Sequence, residues 1–554
     1  MGAHRFVAGV KSVLGKGRMN SGTTQPANGW SATHSVVFVG ASILLASLPW
    51  LVANYATQDG PNHLAVAHIV ATYDAPGSPF AAYWTVDGGL LRPSTAQYWL
   101  LGGLARFCSL AAAEKVLVSL ATLLLPLAVW LFARRTVPRR RGNVLLLLPL
   151  VTGWALAMGF ISFVLALGLG VLVLALGWQP AENAAALGWR PALAAVLHVL
   201  CAWLHPAMAV FVGAALLTLE GPRLRQSGAW ARLLTVTGPA AAYVMIAYFT
   251  ARNPGLLAQS HTTGWSNPLE IISGLVEYQI AYCAWEWLPR GAAVVILLGG
   301  WVKNFRRTPL LGDGPECAVS RLVAVFLLLF ALAPAVIADW YYFSARFLFI
   351  AMAVLAAAVE LPKKVARHVP LIAAALTVAV MAIELVSLGR LDAKVQEVRD
   401  AGADLPAGAR LISIDFGQRR LTLVDSPQPL AHAWAHLVVD RNVVSAQLFA
   451  AGKPRMGGER YRMLSLRPGV LQPQTGALAW PGFENAHELG RKCDPPASSD
   501  CIPRLQAMRD NLDAVLTRYD FILLVAPPEI ARTILTEGLS LRRRVGDAWI
   551  FATH

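Results

Sequence analysis

Charge is scarce in this chain. Only 14% of its 554 residues are Asp, Glu, Lys or Arg, while 56% are hydrophobic; a soluble domain carries roughly a quarter charged. So much apolar side chain cannot be covered inside soluble cores, and a lipid bilayer is required to take it. Acidic residues are the scarcer sign, 32 against 47 basic, for a net charge of +15. In a soluble chain that imbalance would raise nucleic-acid binding. Here the basic residues fall in short loops beside apolar runs, which is a pattern of membrane orientation, and no nucleic-acid partner is expected. There is also no Walker loop, strand-linked GxGxxG, Ser nucleophile elbow or HExxH, so nucleotide-dependent and proteolytic chemistry have no motif behind them. The lack of a convincing internal repeat argues against transporters built from duplicated halves.

What is present is a series of apolar stretches of spanning or near-spanning length. They run over 34–53, 113–133, 143–158, 160–178, 190–204, 206–220, 232–250, 290–304, 321–338, 347–361 and 369–388. The expected fold is a polytopic α-helical membrane protein with about 11 transmembrane helices and a C-terminal α/β extracytoplasmic domain. Lys and Arg are retained on the cytoplasmic side of short loops. They gather in the tail 1–33 (Arg5, Lys11, Lys16, Arg18), after the second span (Arg134, Arg135, Arg139, Arg140, Arg141), and later at Arg223, Arg225, Arg232, Lys303, Arg306, Arg307, Lys363, Lys364 and Arg367. The tail is therefore cytoplasmic, and an odd number of spans exports residues 390–554. No small-residue cleavage site follows Trp50 and Leu51, so the first span stays as an anchor. The Ala, Leu, Arg and Trp bias suits a bacterial inner membrane, with the exported domain periplasmic. There Cys493 and Cys501 bracket the loop CDPPASSDC, and an oxidising compartment would let them form a disulfide in place of two free thiols.

Two long polar insertions, 54–112 and 251–289, lie on the outer side within the membrane region 34–389, with a tight polar turn near 339–346 as a third. The two long ones are rich in Trp, Tyr and helical patterning, so they read as folded. In the first, Pro61 suits the first turn of a helix with Gly60 as its cap, and a second helix runs from Ser94 to near Leu110. Leu269 to Trp287 reads as an interfacial helix. In the exported region ARLISIDF from Ala409, HLVVD from His436, FILLVAPP from Phe521 and WIFAT from Trp549 read as strands, with a helix over Ile502 to Arg518.

The most informative local sequence is Gln58-Asp59-Gly60-Pro61-Asn62-His63, just outside the first span. A carboxylate ahead of a helix N-terminus is favoured in its ionised form, so Asp59 is expected to be charged at neutral pH. It would then take a proton from an attacking group or hold a divalent cation; the plainer alternative is a residue closing a turn. His63, four residues on, shares that helix face and would help to hold a metal or a substrate hydroxyl. Asp87 offers a second carboxylate, or is a turn residue before Gly88 and Gly89. His205, where two short spans meet, lines the same cavity or bonds a helix terminus. His432 and His436 have the spacing of a helical zinc pair but lack a third ligand, and are read as chance.

A basic tail, one span, then a large outer loop opening on an acidic residue and containing surface helices: in this the chain resembles the GT-C class of integral-membrane glycosyltransferases. The likeness covers the membrane region as architecture. It implies a catalytic carboxylate in the first outer loop, at Asp59, and a sugar donor carried on a polyprenyl phosphate, with a glycan, lipid or protein as acceptor. Many members have two adjacent acidic residues here, where this chain has Gln58-Asp59. A donor of that kind requires a cation near the outer surface to hold its phosphate. Arg346, in Asp339-Trp340-Tyr341-Tyr342-Phe343-Ser344-Ala345-Arg346, fits that need; the alternatives are pairing with Asp339 or reaching to the interface, and Arg92 and Arg290 are weaker choices. Two other functions compete: a transporter or flippase for a lipid-linked or polysaccharide precursor, and a non-catalytic assembly or sensor subunit.

Overall fold

A computed structural model describes residues 30–86, 89–178, 189–224, 227–250, 263–305, 312, 314–337, 342–415, 427–448, 463–467, 471, 518–528, 531 and 539–553. Helices α1 (Ala32–Ser47, continued as a 3-10 turn to Leu51), α2 (Gly60–Thr72), α3 (Ala96–Leu104) and α4 (Leu110–Thr136) make up the first quarter. A 3-10 helix over Pro138–Leu150 and the short α5 (Trp154–Ala157) lead into α6 (Ile161–Gly177), α7 (Trp189–Leu204), α8 (Pro206–Glu220) and α9 (Ser227–Thr250). Then come α10 (Pro268–Glu277), α11 (Trp287–Phe305), α12 (Pro315–Leu332), α13 (Phe343–Ala358), the single turn α14 (Lys363–Ala366), α15 (Val369–Ala401) and α16 (His436–Arg441). Among the described residues four stretches are long and apolar enough to cross a bilayer: Ala32–Leu51, α4, α12 and α15; α6, α7 and α13 are shorter apolar helices.

Most of the expected spans coincide with helices, but 321–338 is helical only as far as Leu332 and ends in the short strand Val336–Ile337, and one span departs altogether. Residues 143–158 form the 3-10 run and α5 in place of a spanning helix. Pro138 and Pro149 lie in the run, and a proline has no N–H to give to an α-helical ladder. The segment Val144–Leu148 is nevertheless buried, packed in the main hydrophobic core with α4, α6 and α13.

A second core lies beyond the membrane helices. It joins Ala65, Val66 and Ile69 of α2, Phe80 and Trp84 of the stretch between α2 and α3, Val395 and Val398 at the end of α15, and Leu411, Trp434, Leu437, Ile522, Leu523 and Ile550. The strands β4 (Leu411–Asp415), β6 (Phe521–Val525), β7 (Ser540–Val545) and β8 (Ala548–Ala552) make a sheet of order β4-β6-β8-β7, with β4 parallel to β6 and the other pairs antiparallel. Strand β1 (Trp84–Val86) of the outer loop pairs with β5 (Leu464–Leu466), Trp84 opposite Leu466. A smaller pair, β2 (Thr263–Gly264) and β3 (Val336–Ile337), ties the stretch before α10 to the chain before α13.

Three of the four apolar runs expected as strands are β4, β6 and β8. HLVVD is instead helical, as α16. Its apolar residues Leu437 and Val438 dock on the second core, and Asn442 ends it in the left-handed conformation, φ 54°. A short apolar run carries no periodicity that separates strand from helix, and packing decides. The segment Ile502–Arg518, apart from Arg518, falls outside the described residues, as do Cys493 and Cys501.

Candidate active site at the head of α2

The first spanning helix ends in the 3-10 turn Leu48–Leu51, and the chain then runs through two bends, at 52–54 and 58–59, into α2. Two polar anchors hold this stretch. Asp392 on α15 accepts hydrogen bonds from the backbone N–H groups of Ala53 (2.9 Å) and Asn54 (2.8 Å) and from Asn54 Nδ2 (2.7 Å). Further on, Gln58 N and Asp59 N donate to the carbonyls of Ala157 (2.9 Å) and Met158 (3.0 Å). Asp59 is the N-cap residue of α2, one position before the expected cap, and its side chain makes no capping bond. The carboxylate is thus left for other partners.

Those partners come from distant parts of the chain. His432 Nε2 stands 3.8 Å from Asp59 Oδ1, with the two side chains 23% and 15% exposed. Gln58 hydrogen-bonds the Asp59 carboxyl, and its own amide oxygen accepts from Gln428 N at 2.8 Å. Where a paired carboxylate was looked for, the chain carries an amide that joins Asp59 to the C-terminal region. His63 Nδ1 lies 3.2 Å from the Tyr98 hydroxyl on α3. Burial, with the Asp59 charge second, holds the Tyr98 phenol above its ordinary value.

Burial governs the protonation of this cluster. It pushes Asp59 up to about 8, against a smaller opposing effect of the Gln58 bond. The expectation of a charged Asp59 at neutral pH is corrected: the desolvation cost of the carboxylate exceeds what a helix N-terminus offers. The same burial pushes His63 and His432 down to about 4 each, His63 adding to the effect on His432, so both imidazoles are neutral at pH 7. Among the described residues no group of three or more His, Cys, Asp and Glu is arranged to hold a metal ion.

Arg346 and His205 form a neighbouring group. Arg346 sits in the first turn of α13, its guanidinium 5.8 Å from the centroid of the Phe160 ring. Burial first, and the Arg346 charge second, push the His205 imidazole down to about 3. Its ring packs on Phe163 at 5.4 Å and does not cap α8. Trp154 touches Phe160, Tyr278, Tyr342 and Phe349 with ring centroids 4.8–6.0 Å apart. Tyr342, just before α13, has a φ of 59°, a conformation that costs a bulky residue energy and marks a site held by its surroundings.

The structure therefore brings Asp59, with His63 four residues on in α2, up to the Met158 carbonyl, and places Arg346, which acts on His205, against the ring of Phe160 two residues further on. Asp87 lies outside the described residues. Arg290 is fully buried and occupied by Glu286 (3.0 Å), the Pro149 carbonyl (2.7 Å), Thr152 (3.2 Å) and Glu384, which makes it a structural cation. His432 was missed. Its spacing to His436 was the only local signal, and that pointed to the wrong chemistry.

The arrangement of helices is similar to that of ArnT, the kind of fold expected from the resemblance to the GT-C class. Over 95% of this chain and 99% of that one, it matches the crystal structure of ArnT from Cupriavidus metallidurans bound to undecaprenyl phosphate, with a TM-score of 0.53 and 11% identity. The apo state of the same protein matches over 94% and 98%, with a TM-score of 0.52 and 11% identity. The cryo-EM structure of the arabinofuranosyltransferase AftD from Mycobacteria aligns over 96% of this chain and 40% of that one, with a TM-score of 0.49 and 14% identity. No family model and no curated protein sequence matches this chain.

Proposed function

We propose that the protein is an inverting glycosyltransferase that moves a sugar from a polyprenyl-phosphate donor to an acceptor at the extracytoplasmic face of a bacterial inner membrane. In this reading residues 1–33 are a cytoplasmic tail, 34–389 the membrane region and 390–554 a periplasmic domain. The observation that carries it is Asp59: a carboxylate at the exit of the first span, enclosed by His432 from the far end of the chain, with its proton affinity raised to about 8. A base works best when its pKa lies near the operating pH. The ionised Asp59 takes the proton of the acceptor hydroxyl as that oxygen bonds to the anomeric carbon. The bond from that carbon to the phosphate oxygen breaks, and its electron pair leaves with the polyprenyl phosphate. Arg346 holds that phosphate, and His205, neutral beside it, donates or accepts one further hydrogen bond. His63 orients the acceptor, and His432 closes the carboxylate from bulk water. ArnT, which shares the fold, was crystallised bound to undecaprenyl phosphate, a lipid of the class that the reading requires. The test is D59N in cells, scored by envelope glycan modification and by membrane level. Loss of modification at an unchanged protein level is expected; full modification would remove the assignment.

A further inference from the structure

At the end of α1 and α4 remote from Asp59, two guanidiniums lie on aromatic rings with no carboxylate among the described residues to neutralise them. Arg134, in the last turn of α4, stands 5.2 Å from the centroid of the Trp130 ring, and Arg141 stands 5.9 Å from that of Trp30. The two indoles are 5.8 Å apart, and Phe38 lies 5.8 Å from one and 6.4 Å from the other. Neither arginine makes an ion pair among the described residues. The neighbouring Arg140 takes both Glu316 (3.7 Å) and Glu360 (3.3 Å). Residues 1–29 contain no Asp or Glu, so the tail holds no carboxylate side chain that could serve either. Two buried donors in the patch, Arg141 Nε and Trp130 Nε1, have no acceptor among the described residues. Orphaned buried donors of this kind are rare in folded proteins and call for an acceptor.

The surroundings say what kind. Val36, Val39 and Ile43 on α1 and Leu120, Leu123 and Leu127 on α4 are exposed. Each set is spaced by three and four residues, which aligns it as one stripe along its helix. Both stripes run from the cationic patch along apolar helices of spanning length. An acceptor-rich anion at the patch, continued by chains that prefer these stripes, has the chemistry of a lipid.

We propose that Trp30, Trp130, Arg134 and Arg141 bind the headgroup phosphate of an anionic phospholipid whose acyl chains lie along α1 and α4. Guanidiniums take phosphate oxygens in pairs, the orphaned N–H groups supply further donors, and Trp prefers the headgroup level. The site is independent of glycosyl transfer, and an inactive chain would retain it.

Native mass spectrometry of the full chain in detergent tests it, with phosphatidylglycerol, phosphatidylcholine and inorganic phosphate as probes. The wild type should keep one phosphatidylglycerol in preference to phosphatidylcholine, and inorganic phosphate should not displace it. Retention should fall about fivefold in R134Q and about 25-fold in R134Q/R141Q, on the scale of a cationic side chain at an anionic surface. Arg134 is exposed and forms no ion pair among the described residues, so R134Q should melt as the wild type does and decides the matter even if the double variant fails to fold. Equal retention in the wild type and R134Q, equal retention of the two lipids, or displacement by inorganic phosphate would each overturn the proposal.

Discussion

Asp59 carries the most consequential conflict in the molecule. A helix N-terminus favours its charge, but burial dominates and raises it to about 8. In the unfolded chain the carboxyl would lose its proton near its ordinary value of 3.8, so between these two values the folded state binds the extra proton. Stability therefore falls as pH rises through that window. D59N keeps the shape and removes the ionisation, and it should stabilise the protein by about 1–2 kcal/mol at neutral pH, read as a higher Tm in detergent. Activity should fall in the same variant by about a hundred- to ten-thousand-fold, the usual range for a lost general base. The rate limb of the wild type should weaken as pH drops below about 8, because only the ionised base accepts a proton; a flat profile from pH 6 to 9 would contradict this role. Asp59 and His63 were legible in sequence because a helix start places them four residues apart on local grounds alone. His432 was not, because its partnership with Asp59 depends on a chain closure that no local pattern records.

At the scale of elements, the position of Asp59 depends on a turn and on a helix. Gly159 has a φ of +84°, and a Cβ built there would come within 2.6 Å of Gly60 N and 3.0 Å of Asp59 N. G159A should cost about 2–3 kcal/mol in stability and reduce activity with Asp59 itself intact. Helix α15 continues as one rod from the main core into the second core, where Asp392 holds Ala53 and Asn54 and Arg399 links Asn54 to Asp440. D392A leaves several donors without their acceptor and should lower stability by about 1.5–3 kcal/mol, with faster proteolysis in the loop 52–59 as the sign that the anchor has gone. The same scale explains where sequence patterning went astray. Apolar content alone led 143–158 to be read as a spanning helix, while prolines and packing made it a 3-10 run; HLVVD had strand composition and became α16 because its apolar residues face the second core.

Taken whole, the described residues form two large cores, and the second is not the property of the C-terminal region alone. Phe80 and Trp84 of the first outer loop are fully buried within it, and β1 completes a pair with β5. A chain ending at residue 401 should therefore expose the loop 60–104 to protease and lose activity while α1 and α4 remain inserted, which cysteine labelling and limited proteolysis would separate. An uncut loop in that truncation would show that the outer core is dispensable.

Composition by itself determined that the chain needs a bilayer, since 56% hydrophobic residues against 14% charged leave no other solvent for them. Local pattern determined most of the helices and the start of α2 at Asp59, because periodicity and turn residues act over a few positions. The tertiary structure decided what these cannot encode: that Gln58 and Asp59 meet Gln428 and His432, that burial outweighs the helix terminus, and that the outer loop and the C-terminal strands share one core. Each of these depends on water being excluded by segments far apart in the chain, and exclusion of water is a property of the packed molecule rather than of any stretch of its sequence.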